Sequence, residues 1–293
     1  MAEPLLKKDI EQFAMDIIKQ SGALDVFPTP VNRIVSCAEL IVSGEVDLSR
    51  HKPTFFSKLS ATVFSAWVEV RGFLDRREKI IYLDKSVGAS RQNFVSLHEV
   101  GHEVLPWQAA TLSFLDNDET LAPHVKEEYE VEANYFASGA LFQLDRFDRE
   151  VKKMGVSIKA AMAISKKYGA SVHATLRRMV EFQPRSCALI VLENRTTNHC
   201  MRRNVLASST FIKKYGEIDL PEMLDRSLPF AEDFINRRKF LEGKVVKIPS
   251  TNQLLELKYE FFFNGYCAFV LLYPEGELLR PRMNYVFKGI EQC

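Results

Sequence analysis

The sequence predicts a mixed α+β protein, with a mostly helical first half followed by a domain built on strands. Apolar residues recur at helical spacing up to about residue 182, and beyond Gln183 they follow the shorter period of strands. The pair Asn264-Gly265 separates two apolar runs, which is a strong β-hairpin signal. We therefore expect three parts, residues 1–145, 146–182 and 183–293, the first of which also holds a small sheet.

Length and composition set the limits of this prediction. A chain of 293 residues with 46% hydrophobic content can form more than one core, and a formal net charge of +1 gives no overall attraction to nucleic acid or anionic membranes. The five cysteines are widely spaced without a C-x-x-C pair, which is typical of thiols in a reducing compartment. The sequence shows no signal-peptide core and no apolar run that could span a bilayer. We therefore expect a cytoplasmic protein without a membrane partner.

The first elements of the chain are two helices and a strand. Apolar spacing predicts one helix that ends at Ser21-Gly22 and a second over residues 31–41. Residues 61–70 are rich in apolar side chains, and residues 79–84 have the pattern of a β-strand. Such a strand could pair with the backbone of a bound peptide, or it could be an ordinary member of a sheet.

A helix that ends before Pro106 carries the most informative residues. Its apolar positions recur at helical spacing, at Phe94, Leu97, Gly101 and Val104. His98 and His102 lie one turn apart on this helix, and Glu99 stands beside the first. Both imidazoles therefore project from one face and can bind one metal ion, while Glu99 can act on a water molecule there. This His-Glu-x-x-His spacing is typical of a catalytic zinc site.

A catalytic zinc site needs a third protein ligand and keeps its fourth position open. Four glutamates in the next helical stretch are candidates, namely Glu127, Glu128, Glu130 and Glu132. Glu130 is the best candidate, because the small residues Ala133 and Ala137 follow it at helical spacing and let a second helix approach closely. Asn134, one turn after Glu130, can then hydrogen-bond a metal-binding His and fix the orientation of its ring.

Two segments together resemble the ImmA/IrrE family of zinc metallopeptidases. The family pattern is a phenylalanine shortly before HExxGH, followed by E-x-E-A-N-x-F-A, and residues 91–102 and 130–137 contain both halves in order. The resemblance covers residues from about 30 to 145 and implies a zincin-like metallopeptidase domain. Where the family continues with Leu-Leu-Met-Pro, this chain has GALFQ at residues 139–143, which predicts a different wall near the site.

The resemblance also implies chemistry and a substrate. Zn²⁺ would be held by His98, His102 and Glu130, and Glu99 would serve as the general base that takes a proton from water and passes it to the leaving amine. An oxyanion stabiliser is expected too, and four residues stay open for that role, namely Tyr82, His124, Tyr129 and Tyr135. Family members cleave transcriptional repressors of the helix-turn-helix type and often switch on stress genes, which implies a cytoplasmic repressor as the protein substrate.

Residues 146–182 predict a helical subdomain. Ser157 and Ser171 can cap helices over residues 158–168 and 172–180, which makes a helix-turn-helix-like unit. The unit is locally basic, with Lys166, Lys167, Arg177 and Arg178 in its two capped helices. The unit could contact DNA or could pack as an ordinary subdomain, and the near-neutral charge of the chain favours the second reading.

Residues 183–293 predict a compact α+β domain. Strands are expected over residues 187–192 and 199–206, a helix over 220–238, and hairpin strands over 255–263 and 266–273. Proteins of the IrrE branch resemble this order of peptidase-like domain, helix-turn-helix and GAF-like domain. The resemblance thus implies a GAF-like regulatory or recognition domain, whose aromatic hairpin is either part of a sensing pocket or part of the core.

A different class of function also fits part of the sequence. The chain could be a DNA-binding or ligand-sensing transcriptional regulator whose metal site is structural or vestigial. Two features favour the peptidase. Both His ligands and Glu99 are intact, and the site has three candidate protein ligands, whereas structural zinc sites favour four. We therefore expect a protein substrate as the primary partner and keep DNA only as a secondary one.

Overall fold

The structure is a computed structural model that describes residues 4–43, 72–84, 86–114 and 123–277. These ranges contain ten helices and two sheets, which confirms the mixed α+β class. The apolar stretch at residues 61–70 lies outside the described residues. The chain divides into two compact units, Met1–Asp148 with Ile164–Ala174, and Arg149–Ala163 with Thr175–Cys293. The three-part division at residues 145 and 182 stays a prediction.

The first unit begins with helices and a small sheet. Its elements are α1 (Pro4–Gln20), α2 (Val31–Cys37), β1 (Ile41–Ser43), β2 (Gly72–Asp75), β3 (Ile80–Leu83), α3 (Ala89–Val104), α4 (Pro106–Phe114) and α5 (Pro123–Phe142). Among the described residues, the sheet has the order β1-β3-β2, with β1 parallel and β2 antiparallel to β3. Helix α2 is shorter than predicted, because Glu39 adopts a positive φ of 58° and the chain continues as β1.

Helices α3 and α5 pack closely against each other in the core of this unit. A Cβ atom added at Gly101 would lie 3.1 Å from Cδ1 of Phe136 and 3.3 Å from Cα of Ala133. Ala133, Phe136 and Ala137 are fully buried. The absence of a side chain at Gly101 therefore permits the close approach of the two helices that the small residues of α5 predict.

Residues 139–143 belong to the core of the first unit. Ala140, Leu141, Phe142 and Gln143 are fully buried. The Gln143 amide holds the loop before α2, since its Oε1 accepts from the Asp25 N–H at 2.8 Å and its Nε2 donates to the Val26 carbonyl at 2.9 Å. This segment starts nine residues after Glu130, or ~13 Å along a helix, and packs in the core, while its effect on the wall near the site stays a prediction.

Three helices follow: α6 (Asp145–Met154), α7 (Ile158–Tyr168) and α8 (Val172–Glu181). The predicted caps are confirmed, since Ser157 Oγ accepts from the Ala160 N–H and Ser171 Oγ accepts from the Ala174 N–H, both at 3.0 Å. The division between the two units passes through all three of these helices. The sequence analysis did not separate α6 as a helix of its own.

The second unit contains a six-stranded antiparallel sheet. Its remaining elements are β4 (Ala188–Glu193), β5 (His199–Ala207), α9 (Ser209–Tyr215), β6 (Met223–Asp225), α10 (Pro229–Ile235), β7 (Phe240–Pro249), β8 (Leu254–Phe263) and β9 (Ala268–Pro274). The strand order is β6-β5-β4-β9-β8-β7. One face of the sheet, with Ile190, Tyr259 and Val270, packs with Phe211 of α9 and Phe230 of α10 in one apolar core.

Two sequence predictions in this unit are wrong in detail. The helix expected over residues 220–238 is a short strand and a short helix, because β6 pairs with residues 199–201 and Pro229 starts α10 afresh. The expected two-residue hairpin loop has four residues, because Asn264 Oδ1 accepts from the N–H groups of Tyr266 and Cys267 and Phe263 pairs with Ala268. Within the described ranges, every helix is too short or too polar to cross a membrane.

Candidate metal centre

Three potential metal ligands meet where α3 faces α5. Nε2 of His98 lies 3.0 Å from Nε2 of His102 and 3.2 Å from Oε2 of Glu130. Nε2 of His102 lies 3.7 Å from Oε1 of Glu130. Among the described residues, these form the one group of three or more His, Cys, Asp or Glu side chains with the spacing to share a metal ion. The two residues of α3 and the preferred glutamate of α5 are thus brought together.

The dimensions of this cluster fit a zinc ion. Zinc–ligand distances of ~2.0–2.2 Å place the ligand atoms of a tetrahedral site ~3.3 Å apart, close to the observed separations. Both histidines are buried, whereas the Glu130 side chain is 39% exposed, so the cluster is accessible from the Glu130 side. Two imidazole nitrogens and one carboxylate match the ligand set of zinc enzymes that leave one position for water or substrate.

Hydrogen bonds behind the imidazoles orient both rings toward the cluster. Nδ1 of His98 lies 3.2 Å from Oδ1 of Asn134, the partner that the helical spacing predicts. Nδ1 of His102 lies 2.7 Å from Oε1 of Gln108 at the start of α4. Each ring therefore presents Nε2 to the other ligands. Gln108 belongs to no recognised motif, and the sequence analysis missed it.

The remaining glutamates of α5 have other surroundings. Glu127 and Glu128 are exposed. Glu132 is buried, and its Oε2 accepts from Nε1 of Trp107 at 2.7 Å and from Nε2 of Gln108 at 2.5 Å. Glu130 is therefore the one of the four candidate ligands whose carboxylate faces both histidines.

The charges of the metal-free cluster are strongly coupled. Burial lowers the pKa of His98, but the hydrogen bond to Glu130 and the charges of Glu99 and Glu130 outweigh it, so this pKa is raised. Burial and the neighbouring His98 lower the pKa of His102 to about 4. Burial raises the pKa of Glu130, but the hydrogen bond and the charge of His98 outweigh it and hold this pKa below its usual range.

Glu99 is a buried carboxyl group beside the cluster. Burial, with a smaller effect of the Glu130 charge, raises the pKa of Glu99 to about 7, while the charges of His98 and Arg76 oppose this shift. The backbone of Leu74, on β2, also opposes the shift in the pKa of Glu99, with a smaller effect. A carboxyl group with a pKa near neutrality can both accept and release a proton, as general acid–base chemistry requires.

The turn after β2 is attached to the end of α3. Arg76 donates to the His102 carbonyl at 3.1 Å and to Oε2 of Glu103 at 3.3 Å, and Lys79 forms a short ion pair with the same carboxylate. These contacts hold the small sheet against the helix that carries both histidines. No sequence motif marks them, because the partners lie 24–27 residues apart.

Two of the four oxyanion candidates have hydrogen-bond partners away from the cluster. The Tyr129 hydroxyl donates to Oγ1 of Thr111 at 3.0 Å, and the Tyr135 hydroxyl donates to Oε1 of Glu11 at 2.6 Å. Tyr82 is half-buried on the central strand β3, and His124 is exposed at the start of α5. The choice of an oxyanion stabiliser stays open.

Residues 60–180 match the model of a peptidase family, the IrrE N-terminal-like domain. Over these residues the chain is similar to an IrrE N-terminal-like domain. The resemblance inferred from the sequence is thereby confirmed over a span that includes His98, His102 and Glu130. The described part of this region contains both helices and strands. The candidate ligands come from two packed helices next to a small sheet.

A solved structure resembles this chain over most of its length. It is a Mycobacterium tuberculosis transcriptional regulator with a TM-score of 0.55 and 10% sequence identity, and the match covers 91% of this chain and 76% of that chain. At this identity the likeness concerns the fold alone. No curated protein is significantly similar in sequence to this chain.

Proposed function

We propose that this protein is a zinc-dependent endopeptidase. The observation that carries the proposal is the cluster of His98, His102 and Glu130 beside the buried Glu99, within a domain that matches a peptidase family. A zinc ion in this cluster would lower the pKa of a water molecule and polarise the scissile carbonyl. His98, His102 and Glu130 would hold this ion, and Asn134 would orient the ring of His98.

The residues around the cluster supply the proton chemistry. Glu99 accepts a proton from the attacking water and passes it to the leaving amine, a role that suits its pKa of about 7. Among the described strands, β2 is terminal in the small sheet and lies next to Glu99, so a substrate peptide that pairs along β2 would lie beside the base.

We propose a cytoplasmic transcriptional repressor of the helix-turn-helix type as the substrate, so that cleavage regulates gene expression, for example in a stress response. The resemblance to the ImmA/IrrE family supports this substrate class. The structural neighbour is titled a transcriptional regulator, which agrees with a role in gene regulation. The C-terminal unit, which we expect to be GAF-like, would then recognise the partner or modulate activity.

The test is to incubate the zinc-loaded protein with helix-turn-helix repressors encoded near its gene and to read cut sites by mass spectrometry. We expect Glu99→Gln to abolish cleavage while it keeps its zinc, because the substitution removes the base and leaves all three ligands. Glu128→Gln, an exposed neighbour of the third ligand, serves as the matched control and should cleave normally. Cleavage by Glu99→Gln at the rate of the unmodified protein would refute the assigned base.

The competing proposal is a DNA-binding or ligand-sensing regulator with a structural or vestigial metal site. One observation counts against the DNA-binding version, because Arg178 is buried with its guanidinium 4.8 Å from the ring centre of Phe182. Helix α8 then exposes one basic side chain, Arg177. Specific DNA binding that survives Glu99→Gln, in a protein that cleaves no candidate repressor, would favour the regulator.

A further inference from the structure

Gln108 is a fully buried side chain that contacts both helices of the metal centre. Its Oε1 lies 2.7 Å from Nδ1 of His102 on α3. Its Nε2 lies 2.5 Å from Oε2 of Glu132 and 3.2 Å from the backbone oxygen of Tyr129, both on α5. The same Glu132 oxygen accepts a hydrogen bond from Nε1 of Trp107 at 2.7 Å.

These partners permit a single orientation of the Gln108 amide. A backbone carbonyl and a carboxylate accept hydrogen bonds and donate none, so the amide nitrogen must face Tyr129 and Glu132. The amide oxygen then faces His102, and because this oxygen can only accept, Nδ1 of His102 must carry the hydrogen. The lone pair of the neutral ring is therefore on Nε2, the atom that faces Glu130.

We propose that Gln108 is a positioning residue that fixes His102 in the tautomer able to bind a metal ion through Nε2, and that Glu132 and Trp107 hold the Gln108 amide in place. The inference rests on the proposed zinc site and deepens it, because it names residues that set the affinity of the site. Partners behind metal-binding histidines typically change metal affinity by roughly 10- to 100-fold.

A second contact is compatible with this tautomer. Nε2 of His98 and Nε2 of His102 lie 3.0 Å apart, a hydrogen-bond separation at which one nitrogen must accept from the other. With the hydrogen of His102 on Nδ1, its Nε2 is free to accept from His98. The two hydrogen bonds of His102 are therefore mutually consistent.

The test replaces Gln108 by Met, which has a similar volume and no amide. Long-range ¹H–¹⁵N spectra of the metal-free, full-length protein labelled in histidine report which ring nitrogen carries the hydrogen, and the His102 signals are assigned by their loss in His102→Gln. We expect the Nδ1–H tautomer in the unmodified protein and an added Nε2–H population in Gln108→Met. The zinc dissociation constant, measured by competition with a chelator, should rise roughly 10- to 100-fold.

Gln143→Met is a matched control for loss of a buried amide. Gln143 is also fully buried, but its amide bonds to Asp25, Val26 and other groups of the loop before α2. This variant should lower thermal stability and leave the His102 tautomer and the zinc dissociation constant unchanged. If it weakens zinc binding as much as Gln108→Met, the effect is general destabilisation and the proposal is overturned.

Glu132→Gln separates hydrogen bonding from charge. The substitution keeps an acceptor oxygen for Gln108 and Trp107, so the Nδ1–H tautomer and the zinc affinity should be retained. A loss of affinity equal to that of Gln108→Met would show that the Glu132 charge governs the site, against the proposal. An Nε2–H tautomer of His102 in the unmodified, metal-free protein would also overturn the proposal. If the protein has the Nδ1–H tautomer but binds no zinc, only the proposed function is refuted.

Discussion

At the scale of single residues, the candidate metal centre combines three ligand side chains with partners that orient them. His98 and His102 are buried, and each has a hydrogen-bond partner on its Nδ1 atom. Glu130 is more exposed and reaches both Nε2 atoms. A metal ion would bind all three ligand atoms at once. In the metal-free protein, hydrogen bonds between these atoms take the place of the metal.

The first prediction at this scale concerns zinc content. Protein purified without chelator should contain about one zinc per chain, and His98→Ala and Glu130→Ala should lose it, because each removes one of three ligands. Elemental analysis measures the content, and added zinc should raise the melting temperature only where the site is intact. Glu128→Ala is the control, since this neighbour of Glu130 is exposed. Equal zinc in all four proteins would refute the ligand set.

At the scale of elements, the site depends on how closely α3 and α5 approach each other. Gly101 lies between the two histidines in the sequence, and it faces Phe136 and Ala133 at contact distance. The packing of the helices, rather than any local preference, therefore determines the distance from the histidines to Glu130.

Gly101→Ala tests this dependence. In an exposed helix the change would stabilise by ~1 kcal/mol, but overpacking typically costs ~1–3 kcal/mol, so we expect lower stability and weaker zinc binding. Gly139→Ala, in α5, is the control, because its Cβ would meet only the flexible end of Leu144 at 3.0 Å and Ala14 at 3.7 Å. Calorimetry and zinc titration measure both effects. Unchanged zinc affinity in Gly101→Ala would show that the helices can move apart without affecting the site.

At the scale of the whole molecule, contacts between residues far apart in sequence organise each unit. In the second unit, the buried carboxylate of Glu260 on β8 accepts from the Ile158 N–H at the start of α7 at 2.7 Å. Residues 149–163 therefore belong with the C-terminal sheet, although they precede it by more than 20 residues. A cut after residue 182 would separate these partners.

We expect Glu260→Leu to destabilise the protein by ~1.5–3 kcal/mol, because it removes a hydrogen bond to a charged group and leaves a buried N–H without its acceptor. Glu260→Gln keeps an acceptor and should cost less. Denaturant unfolding measures the difference, and zinc content should stay the same in both variants, because the three ligands belong to the first unit. Equal stability of the two variants would mean that the hydrogen bond to Ile158 contributes little.

The sequence by itself determined the elements with strong local signals. The spacing of His98 and His102 fixes their common face on any helix, and Ser157 and Ser171 cap the helices that follow them. The same local patterns predicted strands β3, β4 and β5 closely. Such signals depend on residues within one or two turns of each other, so they can be read before the chain is folded.

Only the tertiary structure decided the contacts made across long sequence separations. It brought Glu130 within reach of both histidines, placed Gln108 behind His102 and paired β6 with β5 where a helix was expected. Each of these outcomes depends on which helix or strand lies opposite, and local spacing contains no information about that neighbour. The two helices of the metal centre were therefore predictable from the sequence, and the distances between their ligands were set by packing.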